Sequence, residues 1–185
     1  MSDANHLIAV LRAASDGRAD AVFCTDAAGV VTTYGALWDG AARMASALIE
    51  HGVAPGDRVA AQVDKSVVAL QLYLGTVMAG GVHLPLNTAY TPAEVEYFLT
   101  DAAPRVFVCD PAKRETLAPV AGGAEIAHLL TLDGAGKGTA ADAMSGAAPL
   151  SAPVARAAAD IAAFLYTSGT TGRSKGAMLT HGNLA

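Results

Sequence analysis

The chain has 185 residues, 52% of them hydrophobic, and a formal net charge of -5. That length allows one domain, or one large part of a domain, with a sizeable core. No charge-free apolar run reaches the ~20 residues of a membrane span, and Lys and Arg are scattered rather than clustered, which leaves no basic face for nucleic acid. A folded, soluble protein is expected.

The N-terminal run MSDANHLIAVLRAASDG places Asp3 before a short apolar stretch and Arg12 inside it. A secretory signal has a basic start and an uninterrupted centre, so this segment reads as an amphipathic helix of a cytoplasmic protein. Residues 21–34 hold two short β-rich runs around a turn at 26–29, which predicts a hairpin. Thr33 can cap the helix that follows, with Leu37, Ala41, Met44 and Leu48 at helical spacing and Gly52 suited to the stop. After a turn at 54–57, residues 58–63 form a short strand. Ser66 opens an almost wholly apolar helix that ends at 79–81 and should be buried.

Residues 82–86 are extended, with Pro85 at a strand end or edge because it has no N–H to donate. Thr91, Pro92 and Glu94 together spell a helix start: a capping hydroxyl, proline at the first helical position and glutamate three residues after the cap. Pro104 closes that helix. Residues 105–109 form a further strand, Asp110 and Pro111 start a short helix, and 126–132 supply one more strand. The stretch 134–153, rich in Gly, Ala, Ser and Pro, reads as a surface loop. Two apolar runs, 161–167 and 177–180, flank a glycine-rich segment. Residues 180–185 look like the opening of a helix with nothing after it, which suggests truncation. Strands separated by helices at this spacing predict an α/β fold, a mostly parallel sheet with helices on its faces. Cys24 and Cys109 form no C-x-x-C pair and read as small apolar strand residues.

The segment TSGTTGRSKG at 167–176 concentrates the chemistry. Gly169, Gly172 and Gly176 let the backbone adopt conformations closed to other residues and bring its N–H groups close to an anion. The hydroxyls of Thr167, Ser168, Thr170 and Thr171 can donate to phosphate oxygens, with Arg173 and Ser174 beside them, and Lys175 can neutralise charge on the β- and γ-phosphates. A flexible linker shares this composition but has no reason to be bounded by apolar strands or to place a lysine directly before its last glycine. The mononucleotide loop G-x-x-x-x-G-K-[ST] requires lysine immediately after glycine and a helix next. Here Arg173 and Ser174 separate Gly172 from Lys175, and a strand-like AMLT follows. A dinucleotide G-x-G-x-x-G is absent.

Residues 166–176 (YTSGTTGRSKG) resemble the phosphate-binding signature of the adenylate-forming enzymes: acyl-CoA synthetases, nonribosomal-peptide adenylation domains and luciferases. Ser174 stands where most members carry proline. The run from Thr33 through 52–59 (GVAPGDRV) resembles the family's early pattern, and 78–87 (MAGGVHLPLN) its central one, so the resemblance covers nearly the whole chain. The run 84–98 and the Gly172-Arg173-Ser174-Lys175 variant look most like malonyl-CoA synthetases. The resemblance implies that residues 1–185 are the N-terminal portion of a large AMP-binding domain, without the rest of that domain or the C-terminal lid. It also implies an ATP-dependent ligase that activates a small carboxylic acid, malonate or a close analogue, as an acyl-adenylate and passes it to coenzyme A. ATP, Mg2+ and coenzyme A are the implied cofactors, Lys175 the implied catalytic residue, and the metal ligands lie at no identified position. The 185 residues alone are expected to be inactive. An adenylation domain that loads an amino or aryl acid onto a carrier protein, or a non-catalytic nucleotide-binding module, remain alternatives.

Among single residues, His83 reads as a core or rim histidine, Trp38 as a packing residue, and Arg173 as a solvated side chain as readily as a phosphate partner. His181 could approach a nucleotide or help start a helix.

Overall fold

In the computed structural model, which describes residues 4–26, 28–167 and 175–185, strands and helices alternate along the chain. Helix α1 (His6–Ala13) begins where Asn5 accepts a hydrogen bond from the Ile8 N–H, satisfying an amide that a helix start leaves free. Strands β1 (Val22–Thr25) and β2 (Val31–Thr33) form the predicted antiparallel hairpin. Asp26 closes its turn by accepting from the N–H groups of Ala28 and Val30. Thr33 caps α2 (Tyr34–Glu50), and Gly52, at φ +79°, takes the left-handed conformation after that helix.

There follow β3 (Arg58–Gln62), α3 (Val67–Met78), β4 (Val82–Pro85), α4 (Pro92–Ala102) and β5 (Val106–Cys109). A 3-10 turn, Pro111–Lys113, leads into α5 (Arg114–Gly123), and β6 (His128–Thr131) comes next. The Thr91–Glu94 capping box forms as its sequence predicts: the Thr91 N–H donates to the Glu94 carboxylate and the Glu94 N–H donates to the Thr91 hydroxyl. Cys24 lies half-buried in β1 and Cys109 is buried in β5, both unpaired.

One stretch differs from its expectation. Residues 134–153 contain a helix, α6 (Thr139–Gly146), rather than only loop. Its eight residues are too short to show a periodicity, and tertiary contacts hold it. The Thr139 N–H donates to Oγ1 of Thr131, the Thr131 N–H donates back to Oγ1 of Thr139, and Ala140 is fully buried beside Met44 and Leu48 of α2. The chain then enters β7 (Ile161–Thr167), β8 (Lys175–Thr180) and α7 (His181–Leu184).

The second sheet has the strand order β6-β5-β3-β4-β7-β8. All its neighbours pair parallel except β7 and β8, so the sheet is mostly parallel, as predicted, with one antiparallel edge. Successive strand residues point to opposite faces. Val59, Ala61, Val106 and Val108 therefore pack with Met44 and Leu48 of α2 and Leu72 of α3, whereas Ala60, Phe107 and Cys109 pack with Val95, Phe98 and Leu99 of α4 and Leu117 of α5. Both faces are covered, as a parallel sheet requires. Among the described residues, no helix is long and apolar enough to cross a membrane.

Candidate functional site

The predicted phosphate loop hangs between two hydrogen-bonded strands. β7 runs parallel to β4, with His83 opposite Ala163, so its last residue emerges at the edge of the sheet where β3, β4, β5 and β6 also end. β8 returns antiparallel, pairing Lys175 with Thr167 and Gly176 with Tyr166. The two ends of the loop are thus clamped side by side, and a strand follows it, not the helix of a mononucleotide loop. The strand begins at Lys175, two residues earlier than the apolar run at 177–180 marks it.

Thr167, Lys175 and Gly176 are therefore brought together by backbone pairing. Ser168, Gly169, Thr170, Thr171, Gly172, Arg173 and Ser174 lie outside the described residues. Gly176 shows a reason for being glycine that its sequence context does not reveal. Its backbone avoids the left-handed region, and a Cβ built on it would lie 2.0 Å from Cε1 of Phe164. The missing side chain makes room for that ring.

Phe164 belongs to an aromatic cluster between β7 and α4. Tyr166 packs against Phe98 of α4 at 4.5 Å between ring centroids and against Phe164 at 5.6 Å, and its hydroxyl donates to the Asp101 carboxylate at 2.5 Å. Burial, then the hydrogen bond to Asp101 and the Asp101 charge, raise the Tyr166 phenol well above its ordinary range, so it stays protonated and donates. Ala162, by contrast, joins the core on the opposite face; a bulge between Ile161 and Ala163 lets two residues only two apart serve different faces.

A second feature lies along the same edge. The carboxyl ends of β3 and β4 open a cavity of about 490 Å³ lined by Val63, Asp64, Lys65, Leu86 and Thr88. The connection after β3 passes through α3 on one face and the connection after β4 through α4 on the other, so this is a topological switch point, the place where open α/β sheets bind ligands. Leu86 and Thr88 belong to the run 84–98 that carries the family resemblance; Val63, Asp64 and Lys65 belong to no motif, and the strand order brings the two groups together.

The histidines and Trp38 have structural surroundings. His83 is buried, its ring edge-to-face with Tyr73, and burial lowers its pKa to about 4. His181 is fully buried and accepts from the Leu7 N–H through Nδ1 at 3.4 Å, tying α7 to α1. Burial, with Arg156 nearby, lowers its pKa also, so the ring is neutral and carries its proton on Nε2. Trp38 donates from Nε1 to the Ser15 hydroxyl and lies under the Arg12 guanidinium. Among the described residues, no group of three or more His, Cys, Asp or Glu side chains could hold a metal ion, so no metal ligand is assigned.

Comparison with known proteins gives a family. Residues 11–185 match the model of the AMP-binding enzyme family. The fold is similar to MatB from Rhodopseudomonas palustris in its apo and ATP-bound structures, with 49% identity and a TM-score of 0.90 over 96% of this chain and 35% of that one. It is also similar to a benzoate CoA ligase from Burkholderia xenovorans LB400, with 30% identity and a TM-score of 0.80 over 96% of this chain and 35% of that one. Among curated proteins, the feruloyl-CoA synthase of an Amycolatopsis species is 39% identical over 84% of this chain and 30% of its own length. Nonribosomal peptide synthetase 32 of Fusarium pseudograminearum is 32% identical over 83% of this chain and 2% of its own. The chain spans about a third or less of the length of these relatives. It belongs to the AMP-binding enzyme family, the adenylate-forming group that includes the acyl-CoA ligases.

Proposed function

We propose that residues 167–176 hold the triphosphate of Mg-ATP in an acid–thiol ligase that converts a small carboxylic acid, malonate or a close analogue, to its coenzyme A thioester. The observation that carries this reading is the clamped strand–loop–strand at the carboxyl edge of the sheet. Its pairing of Thr167 with Lys175 brings both ends of a loop rich in glycine and hydroxyl residues to the edge where the switch-point cavity also opens. The ATP-bound structure of MatB, 49% identical to this chain, supports nucleotide as the ligand.

In the first step, a carboxylate oxygen of the acid attacks the α-phosphorus, and the bond to the bridging oxygen of pyrophosphate breaks. In the second, the thiol of coenzyme A attacks the acyl carbon, loses its proton and displaces AMP. The residues of the loop supply no nucleophile. Their amides and hydroxyls, with the ammonium of Lys175, offset the charge that grows on the departing pyrophosphate. Magnesium enters as part of the substrate Mg-ATP.

Malonate is favoured by the likeness of residues 84–98 to malonyl-CoA synthetases. The similarity to nonribosomal peptide synthetases keeps one second reading, transfer of an amino or aryl acid to a carrier protein. We assign no residue of 1–185 to the acid pocket and propose that these residues form the N-terminal portion of the large domain, inactive by themselves. The test is acid-dependent ATP–pyrophosphate exchange, measured on the 185-residue chain and on a longer chain that carries it, with malonate, benzoate, ferulate and amino acids offered in turn. Exchange by the longer chain with malonate alone is expected. Exchange with aromatic or amino acids only would replace malonate, and exchange by neither chain with any acid would remove the ligase reading.

A further inference from the structure

Among the described residues, the strand that enters the loop is braced from α4 by a polar contact at the exposed rim of an aromatic cluster. Tyr166 stands one residue before Thr167, the last residue of β7, and across from Gly176 in β8. Its ring is held by Phe98, Phe164 and Tyr97, and its hydroxyl reaches Asp101, 65 residues away in the last turn of α4. That helix is anchored at both ends. The Thr91–Glu94 box closes its start, and Arg58 of β3 closes its finish, donating from Nε to the Ala102 carbonyl at 2.6 Å and from Nη2 to the Ala103 carbonyl at 2.8 Å.

Packing alone would fix the position of the ring but not its tilt about the strand. A phenol–carboxylate hydrogen bond is directional and stronger than one between neutral groups. Because Phe164 fills the space over Gly176, the same cluster touches both strands that bound the loop. We propose that Tyr166 and Asp101 form a positioning pair that fixes the end of β7 at Thr167 against α4, and so the affinity of residues 167–176 for the polyphosphate of ATP. This rests on the reading of 167–176 as the nucleotide loop. Neither residue touches the nucleotide in this scheme; both act through Thr167 and the strand ends.

The experiment compares Tyr166→Phe, Asp101→Ala, Asp101→Asn and the double variant Tyr166→Phe with Asp101→Ala, each made in the longer chain that carries residues 1–185. Two readouts are taken on each: the dissociation constant for Mg-ATP by equilibrium dialysis, and amide hydrogen exchange of residues 165–167 and 175–177. Tyr166→Phe keeps the ring, so the thermal midpoint should stay close to that of the wild type. Its affinity for Mg-ATP should fall about 3- to 10-fold, the range set by one hydrogen bond, with faster exchange at the strand ends. Asp101→Ala should match it. Asp101→Asn, whose amide oxygen still accepts from the phenol, should recover most of the loss, and the double variant should be no worse than either single one. Wild-type affinity in Tyr166→Phe, or losses that multiply in the double variant, would overturn the pair. If the wild type itself binds no Mg-ATP, the nucleotide reading fails and the role of the pair in affinity fails with it. The exchange data then decide separately whether the brace exists, since unchanged exchange in Tyr166→Phe removes it.

Discussion

Replacing Gly176 by alanine tests the packing around Phe164 through the sign of the result. In an ordinary strand the change should stabilise by about 0.4–1 kcal/mol, because alanine has less conformational freedom to lose on folding. Here the new methyl would stand 2.0, 2.8 and 3.0 Å from Cε1, Cζ and Cδ1 of Phe164. The ring cannot simply swing away, because Tyr166 lies against it and both pack onto the core beneath α4. Overpacking of this kind costs about 1–3 kcal/mol, which for a chain of this length lowers the thermal midpoint by about 2–4 °C per kcal/mol. The assay is equilibrium urea denaturation of four proteins: wild type, Gly176→Ala, Phe164→Ala and the pair. Gly176→Ala should destabilise the wild type, yet be neutral or stabilising once Phe164 is alanine. A stabilising effect in the wild type, or an equal cost in both backgrounds, would refute the explanation.

Two further outcomes follow from buried polar groups. His83 is neutral when folded, with a pKa of about 4 against 6.5 in the unfolded chain. The unfolded state therefore binds the extra proton between those values, and stability, full above pH 6.5, falls as the pH drops through that window. One such group contributes a slope of about 1.4 kcal/mol per pH unit, so the stability profile of His83→Gln from pH 7 to 4.5 should be flatter by up to that amount; identical slopes would contradict the assignment. Asn5 donates to the carbonyls of Val77 (2.8 Å) and Val154 (3.0 Å) while capping α1. Asn5→Ala should cost about 2–4 kcal/mol in urea denaturation, since it removes three bonds and strands the Val154 carbonyl and the Ile8 N–H, while the Val77 carbonyl keeps the Gly80 N–H; a loss near 0.5 would show that water replaces the amide.

Local chemistry made much of this molecule legible. The caps at Thr33 and Thr91, the hairpin around Asp26 and the alternation of strands and helices depend on neighbours within a few residues, and the structure reproduces them. The strand–loop–strand frame was equally visible, because an apolar run on each side of a glycine-rich segment reports its own secondary structure. What the sequence could not show depends on distant partners. Helix α6 is fixed by Thr131 and by burial against α2, not by a periodicity in its own eight residues. His181 is explained by Leu7, 174 positions away, and Tyr166 by Asp101. Gly176 looked like a conformational glycine when considered alone; the ring that excludes a side chain there comes from the opposite strand. The switch-point cavity joins Asp64 and Lys65, which belong to no motif, to Thr88 of the run 84–98, and that juxtaposition is a product of strand order.

The central claim is that Lys175 and the loop it closes carry the polyphosphate. The direct test is acid-dependent ATP–pyrophosphate exchange by the longer chain, wild type against Lys175→Ala, with thermal denaturation of both as the control on folding. A fall of about 10²-fold or more in exchange rate, the scale of losing one electrostatic contact to a transition state, with an unchanged melting midpoint, is the predicted result. Equal exchange rates in the two proteins would contradict it.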